Sequence, residues 1–154
     1  MQVAVDLELP HITTEVSTVL PVAAPVAFEI FADVVETPRW LSVVQSAHVI
    51  DRGDDTRPRR VAFLTRLRRG TLGYALDYEY DLDRLAIRWT PPEESATQIT
   101  GEAQFVELQA QTCLLNYRIS IELPFPAAWA DPSYDGHAAS AVVSQFREYL
   151  RRFA

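Results

Sequence analysis

The pattern of apolar and polar residues along the chain predicts a series of β-strands followed by one long helix. From Glu15 onward, apolar residues mostly alternate with polar ones, which is the period of a strand with one buried face. Strands are expected at residues 15–20, 43–51, 60–68, 71–80, 85–90, 97–106 and 112–123. Pro25 suits the first turn of a helix, so one or two short helices are expected from Pro25 to Val35.

The last stretch, from His137 to Phe153, has the spacing of an α-helix instead. Its apolar residues recur every three or four positions, and the predicted stripe consists of Ala138, Val142, Phe146, Tyr149 and Phe153, with Ala139, Val143 and Leu150 beside it. This element order predicts an α+β helix-grip fold, in which a curved antiparallel sheet of six to seven strands wraps around the C-terminal helix. Residues 1–11 are expected to be a leader and residues 12–154 a single domain.

Composition and charge exclude several classes of partner. The chain has 154 residues and a formal net charge of −7, which disfavours nucleic acid because phosphate binding needs a basic surface. The longest uncharged run, Val16 to Phe28, is too short to span a bilayer, so no integral membrane association is expected. Cys113 is the only cysteine, which excludes an internal disulfide and fits a cytoplasmic location.

Few side chains in the sequence suggest catalysis, and no metal or cofactor is predicted. His11, His48 and His137 lack the spacing of metal ligands, and the chain contains neither a GxSxG motif nor a glycine-rich phosphate loop. By alternation, the charged residues of the strands point outward unless a β-bulge reverses the phase; they include Arg66, Arg68, Asp77, Glu79, Arg88 and Arg118. Inward polar groups are therefore mainly the phenols of Tyr74, Tyr78 and Tyr117, each of which needs a hydrogen-bond partner when buried. A ligand oxygen, a backbone carbonyl or water could be that partner.

The opening segment, VSTVLPVAAPVAFEIFADVVETPRW, resembles the start of START-like (Bet v 1-like, SRPBCC) domains, a group that includes polyketide cyclases/dehydrases and lipid transporters. The resemblance rests on a signature of alanine-proline, aromatic, aspartate and proline-x-tryptophan positions, here Ala24, Pro25, Phe28, Phe31, Asp33, Pro38 and Trp40. The strands RPRRVAFLTRL and LNYRISIEL are also similar to those of this group. The resemblance implies a deep cavity between the sheet and the last helix for a lipid, quinone or polyketide-like molecule.

Candidate ligand-binding residues are the large side chains that face inward by alternation or from the last helix. They are Trp40, Phe63, Leu67, Tyr74, Leu76, Tyr78, Trp89, Phe105, Leu115, Tyr117, Val142, Phe146 and Tyr149. Three hypotheses follow: a non-enzymatic binder or carrier of a hydrophobic small molecule, a polyketide aromatase/cyclase that uses pocket tyrosines, and a protein-interaction module with a filled core. The oligomeric state and the identity of the ligand stay open.

Overall fold

The computed structural model describes residues 11–67, 70–122 and 138–154, which form one antiparallel sheet with helices packed on its concave face. The strands are β1 (His11–Leu20), β2 (Val44–Arg52), β3 (Pro58–Arg66), β4 (Thr71–Asp81), β5 (Ala86–Thr90), β6 (Gln98–Gln109) and β7 (Thr112–Glu122). The helices are α1 (Ala24–Ala32) and α2 (Ala138–Leu150), with 3₁₀ helices at Val34–Arg39 and Arg151–Phe153. The predicted α+β helix-grip architecture is confirmed.

The strand order explains how the sheet encloses a space. The order is β1-β7-β6-β5-β4-β3-β2, so β2 to β7 form successive antiparallel neighbours and β1 adds to the far side of β7. The pairing of β1 with β7 runs from His11 opposite Glu122 to Leu20 opposite Cys113. In β2 the register shifts between Val44 and Ser46, and such irregularities increase the local twist and bend of an edge strand.

Alternation along the strands is confirmed by burial. In β4, Leu76 and Tyr78 are buried, whereas Asp77 faces outward and accepts two hydrogen bonds from the Arg60 guanidinium, at 2.6 and 3.0 Å. On the same outer face Glu102 lies within 4 Å of three arginines: Arg84 at 3.8 Å, Arg88 at 3.7 Å and Arg118 at 3.9 Å. The outward arginines of the central strands are therefore matched by carboxylates of neighbouring strands, as the sequence predicts.

The first strand is longer than predicted, because it begins at His11 rather than at Glu15. The added residues are polar or β-branched and carry no clear alternation, yet they pair fully with the end of β7. Thr13 Oγ1 and Ser120 Oγ are 3.0 Å apart across the two strands. Of the predicted leader, residues 1–10 lie outside the described residues.

The buried stripe of α2 differs from the predicted one by about one residue. Ala139, Val143, Phe146 and Leu150 are the buried positions, whereas Phe153 is 49% exposed and lies in the terminal 3₁₀ helix. Both stripes have helical spacing and share Phe146, so the pattern alone did not separate them. Val142 consequently sits at the flank of the packed face, where it borders an open space rather than the core.

The short helices after β1 fill one end of the concave face. Pro25 lies in the first turn of α1, as predicted, and the buried side includes Phe28 and Phe31. The following 3₁₀ helix continues past Val35 and contains Pro38. Trp40 follows directly and is 8% exposed, so this segment places an aromatic side chain in the interior.

Candidate functional site

A cavity of about 430 Å³ lies between the concave face of the sheet, the 3₁₀ helix and the first turns of α2. Its wall is mainly aromatic and aliphatic. The lining residues that the sequence had singled out are Trp40, Phe63, Tyr74, Leu76, Tyr78, Trp89, Tyr117 and Val142. These eight residues come from β3, β4, β5, β7, α2 and the segment between α1 and β2.

Five of the predicted residues lie outside this lining. Phe105, Leu115 and Phe146 are almost completely buried in the core. Leu67 lies just beyond β3 and donates its N–H to the Gly70 carbonyl in the hairpin, at 2.9 Å. Tyr149 packs against Phe153 at the outer end of α2, where the Arg152 guanidinium lies 5.1 Å from its ring centroid.

Phe31 separates the filled part of the interior from the cavity. Its ring centroid lies 5.2 Å from that of Phe146 and 5.9 Å from that of Phe105, both in the core. On its other side it lies 5.9 Å from the ring of Trp89 and 6.4 Å from the ring of Tyr117. Phe31 and its neighbours fill the space beneath the end of β6 and the start of β7. The cavity therefore lies beneath β2 to β4 and the opposite ends of β6 and β7, where Ile99, Ile119 and Ile121 line it.

Several lining residues were not among the sequence candidates. They are Phe31, Val34, Thr37, Leu41, Ser42, Val43, Val44, Arg66, Ile99, Ile119, Ile121, Ala141 and Gln145. The isoleucines lie at inward positions of β6 and β7, so alternation could have found them. The residues from Leu41 to Val43 follow no periodic pattern, because they belong to the connection between the 3₁₀ helix and β2.

A polar cluster ties this connection to the rim of the cavity. Arg66 Nη1 donates to the Ser42 carbonyl at 2.5 Å, and the Ser42 N–H donates to Gln145 Oε1 at 2.8 Å. Arg66 was expected to point outward; it is exposed, but it borders the cavity because it is the last residue of β3. Arg88 and Arg118 do point outward, and Arg68 lies outside the described residues.

The deep wall carries polar groups that have no partner among the described residues. The hydroxyls of Tyr78 and Tyr117 form no hydrogen bond within the part of the chain that the structure describes, and burial raises the pKa of both phenols above their usual range. Trp40 Nε1 is an enclosed donor that also lacks a partner in the described ranges. Both tyrosines are therefore neutral near pH 7 and keep a proton to donate.

Gly101 allows Trp89 to lie close against the sheet. A Cβ atom built on Gly101 would lie 2.5 Å from Trp89 Cε2 and 2.6 Å from Trp89 Nε1, far inside van der Waals contact. The two residues are paired across β5 and β6, so the indole covers its own neighbour in the sheet. A glycine at this position is therefore a requirement of the cavity wall.

Neither a metal site nor a membrane span is found among the described residues. No group of three or more histidine, cysteine, aspartate or glutamate side chains is arranged there to hold a metal ion. None of the helices in those ranges combines the length and apolar character that crossing a membrane requires. Cys113 is fully buried, and burial raises the pKa of its thiol to about 11, so it is a core residue rather than a reactive one.

Solved structures with this architecture match nearly the whole chain. A START superfamily protein from Mycobacterium smegmatis has a TM-score of 0.80 at 14% identity, over 94% of this chain and 100% of that one. An aromatase/cyclase from a Streptomyces species has a TM-score of 0.70 at 15% identity, over 94% and 97%. A major latex-like protein from Panax ginseng has a TM-score of 0.64 at 12% identity, over 90% and 97%.

The chain therefore has the START-like (Bet v 1-like) fold, and the resemblance drawn from its sequence is confirmed at the level of the fold. No family model matches the chain, and none of the curated proteins does. Identities between 12% and 15% establish the fold alone, so the function must be argued from the cavity.

Proposed function

We propose that this protein binds and carries a hydrophobic small molecule in the cavity between its sheet and α2. The single observation behind this proposal is the cavity itself, whose volume of about 430 Å³ falls in the range typical of small-molecule sites. Ligand contacts are proposed for the predicted residues that line it, namely Trp40, Phe63, Tyr74, Leu76, Tyr78, Trp89, Tyr117 and Val142.

The chemistry of the wall supports an apolar ligand. Aromatic and aliphatic side chains make up most of the lining, and the charged or amide side chains, Arg66 and Gln145, border the Leu41–Val43 connection. A ligand that buries about 200 Å² of apolar surface gains roughly 5 kcal/mol, before the cost of association is subtracted. Since about 5 kcal/mol corresponds to a Kd of roughly 0.2 mM, micromolar binding requires a larger buried surface or polar contacts in addition.

The first experiment is native mass spectrometry of protein purified without detergent, followed by denaturing extraction of any bound compound. A mass above that of the bare chain, which resolves into an apolar compound on extraction, supports the proposal. A bare mass, with no uptake from a mixture of fatty acids, quinones and polyphenols, refutes it.

A pair of valine substitutions locates the binding site. Val142→Phe adds a ring at a position that borders the cavity, and we expect affinity for the extracted compound to fall by about tenfold or more. Val26→Phe, on the outer side of α1 where Val26 is 43% exposed, is the matched control and should bind normally. Equal affinity of both variants would place the ligand elsewhere.

A second candidate function is that of an aromatase/cyclase, the activity named for one of the similar structures. The specific observation in its favour is a pair of neutral phenols, Tyr78 and Tyr117, that have no hydrogen-bond partner among the residues the structure describes. They could position a reactive chain or donate a proton. Its test is the replacement of Tyr74, Tyr78 and Tyr117 by phenylalanine. Activity that survives all three changes removes the tyrosines as the proton source.

The interaction module is the weakest of the three hypotheses, because it expects a filled core where the structure has a cavity. A cytoplasmic location is part of the proposal and is supported by the single, buried thiol of Cys113. Fractionation of the native host cells would test it directly.

A further inference from the structure

The two edge strands of the sheet differ in how well they are protected against pairing with a further strand. β2 and β1 are the outermost strands of the described sheet. β2 has register shifts at three places, between Val44 and Ser46 and on both sides of Asp51. Such irregularities bend an edge strand and interrupt the row of backbone N–H and C=O groups that another strand would need. β2 is therefore a poor template for a further strand.

β1 lacks these protections. It pairs with β7 without a register shift from His11 to Leu20, and it contains neither proline nor lysine. Its one carboxylate, Glu15, lies opposite Arg118 of β7. α2 contacts β1 on the concave face, where the Ala139 N–H donates to Thr14 Oγ1 at 3.2 Å, and no strand of the described ranges pairs with the outer side of β1. An edge of this length and regularity is a template for another strand.

The charge of the chain and the symmetry of a dimer indicate how a second copy would pair with this edge. Two copies that each carry a net charge of −7 repel each other, and β1 reduces that repulsion because Glu15 is its only acidic residue. Directly opposite residues of an antiparallel pair lie on the same face of the sheet. The concave faces of two copies therefore coincide only if the two-fold axis passes a residue that lies opposite its own copy.

The position of that axis follows from the sequence of β1. Only Glu15 and Val16 are central enough to keep nearly the whole strand paired. An axis at Glu15 would place two carboxylates directly opposite each other, which is destabilising. An axis at Val16 avoids this clash, because Glu15 then lies opposite Ser17 of the second copy.

We propose that β1 pairs antiparallel with β1 of a second copy of this chain, with Val16 opposite Val16 at the two-fold axis. On the concave face Thr14 then lies opposite Thr18, a pair of β-branched hydroxyl residues that suits an antiparallel ladder. On the outer face Glu15 lies opposite the Ser17 hydroxyl. The two sheets become one continuous sheet, and this interaction is independent of what the cavity binds.

Sedimentation velocity of the full chain, over concentrations from about 1 µM to about 1 mM, measures the dimer. A single strand pairing buries less surface than a standard interface, so we expect a Kd of about 10–100 µM. Ser17→Glu places a carboxylate opposite Glu15 twice in each dimer and should weaken it by about tenfold, whereas Ser17→Lys should tighten it by a few fold. The two variants are matched, because both lose the 2.6 Å hydrogen bond from Ser17 Oγ to Asn116 Oδ1.

Disulfide cross-linking tests the position of the axis. Opposite residues at the axis have Cα atoms about 4.5–5.5 Å apart, so Val16→Cys should form an intermolecular disulfide under mild oxidation. Thr18→Cys is the matched control and should not cross-link, because its two copies would lie about 14 Å apart. The native Cys113 is buried and does not compete.

The outcomes separate the possible occupants of the edge. A dimer that responds in opposite directions to the two Ser17 variants, and that cross-links through Val16→Cys alone, supports the proposal. A protein that stays monomeric up to about 1 mM overturns it, since a second copy is then not the partner of β1. A dimer that is indifferent to the charge at residue 17 and does not cross-link at residue 16 also overturns it, because its interface lies elsewhere. Circular dichroism of each variant shows that it is folded.

Discussion

Replacing Gly101 by alanine tests how closely Trp89 is held against the sheet. The new Cβ would lie 2.6 Å from Trp89 Nε1 and still closer to Cζ2, so the indole must move away from β6. On the side of the indole away from β6 lie the cavity and the ring of Phe31. Gly101→Ala should therefore push Trp89 into the space that we assign to the ligand.

The expected energy follows from two opposing effects. Overpacking a well-filled interior typically costs about 1–3 kcal/mol. Alanine also reduces the conformational entropy of the unfolded chain, which stabilises the folded state by about 0.4–1 kcal/mol. The net destabilisation should be about 1–2 kcal/mol, which corresponds to a fall in Tm of roughly 2–8 °C for a chain of this length.

Gly73 of β4 provides the matched control. A Cβ built there meets nothing closer than 3.9 Å, from Leu64 Cδ1 and the Phe63 carbonyl oxygen, which is ordinary contact. Gly73→Ala should therefore be neutral or stabilising by up to about 1 kcal/mol, because only the unfolded-state effect remains.

Urea unfolding of the two variants, with m-values compared, measures the difference. Tryptophan fluorescence and affinity for the compound extracted from the native protein report whether the indole has moved into the cavity. The reasoning is refuted if Gly101→Ala is as stable as Gly73→Ala and binds that compound normally. That result would mean that the Trp89 side chain moves with no loss of stability and that the cavity wall is more flexible than its packing indicates.

Three further predictions test the burial of core residues and the ionisation of buried groups. Phe146→Ala should cost about 3–5 kcal/mol in urea unfolding because Phe146 is fully buried, whereas Tyr149→Ala should cost clearly less because Tyr149 is only half-buried. Equal costs would contradict this difference in burial. Burial raises the pKa of Tyr117 above 10.0, so the unfolded chain loses this proton first and stability should fall as the pH rises past 10; Tyr117→Phe should flatten that fall. Cys113, with its thiol pKa raised to about 11, should react with a thiol reagent at pH 8 only as fast as the protein unfolds, and rapid labelling of the folded protein would refute its burial.

Strand alternation predicted the sheet well because each strand has one face in the core. The inward positions of β6, Ile99, Gly101, Ala103 and Phe105, are all buried as expected. Period-two patterning reflects which face of a strand is exposed to solvent, and the two faces of this sheet differ strongly in burial.

The same pattern could not locate the cavity, because it tells which face a residue occupies and not what covers that face. Phe105 and Tyr117 both point inward, but Phe28 packs edge-on against Phe105 at 6.3 Å while Tyr117 borders open space. That distinction depends on where α1 docks, which is a tertiary contact. The segment from Leu41 to Val43 was missed for a related reason, since its position is set by Arg66 and Gln145 from distant parts of the chain.

The pairing of β1 with β7 has a consequence for how the chain folds. The strands from β2 to β7 follow one another as neighbours, so each can form by a short loop closure soon after it is synthesised. β1 is made first, yet its partner Cys113 to Glu122 emerges about a hundred residues later. β1 must therefore remain unpaired until β7 has left the ribosome. We expect folding in milliseconds to seconds, with docking of β1 and then α2 as the late steps.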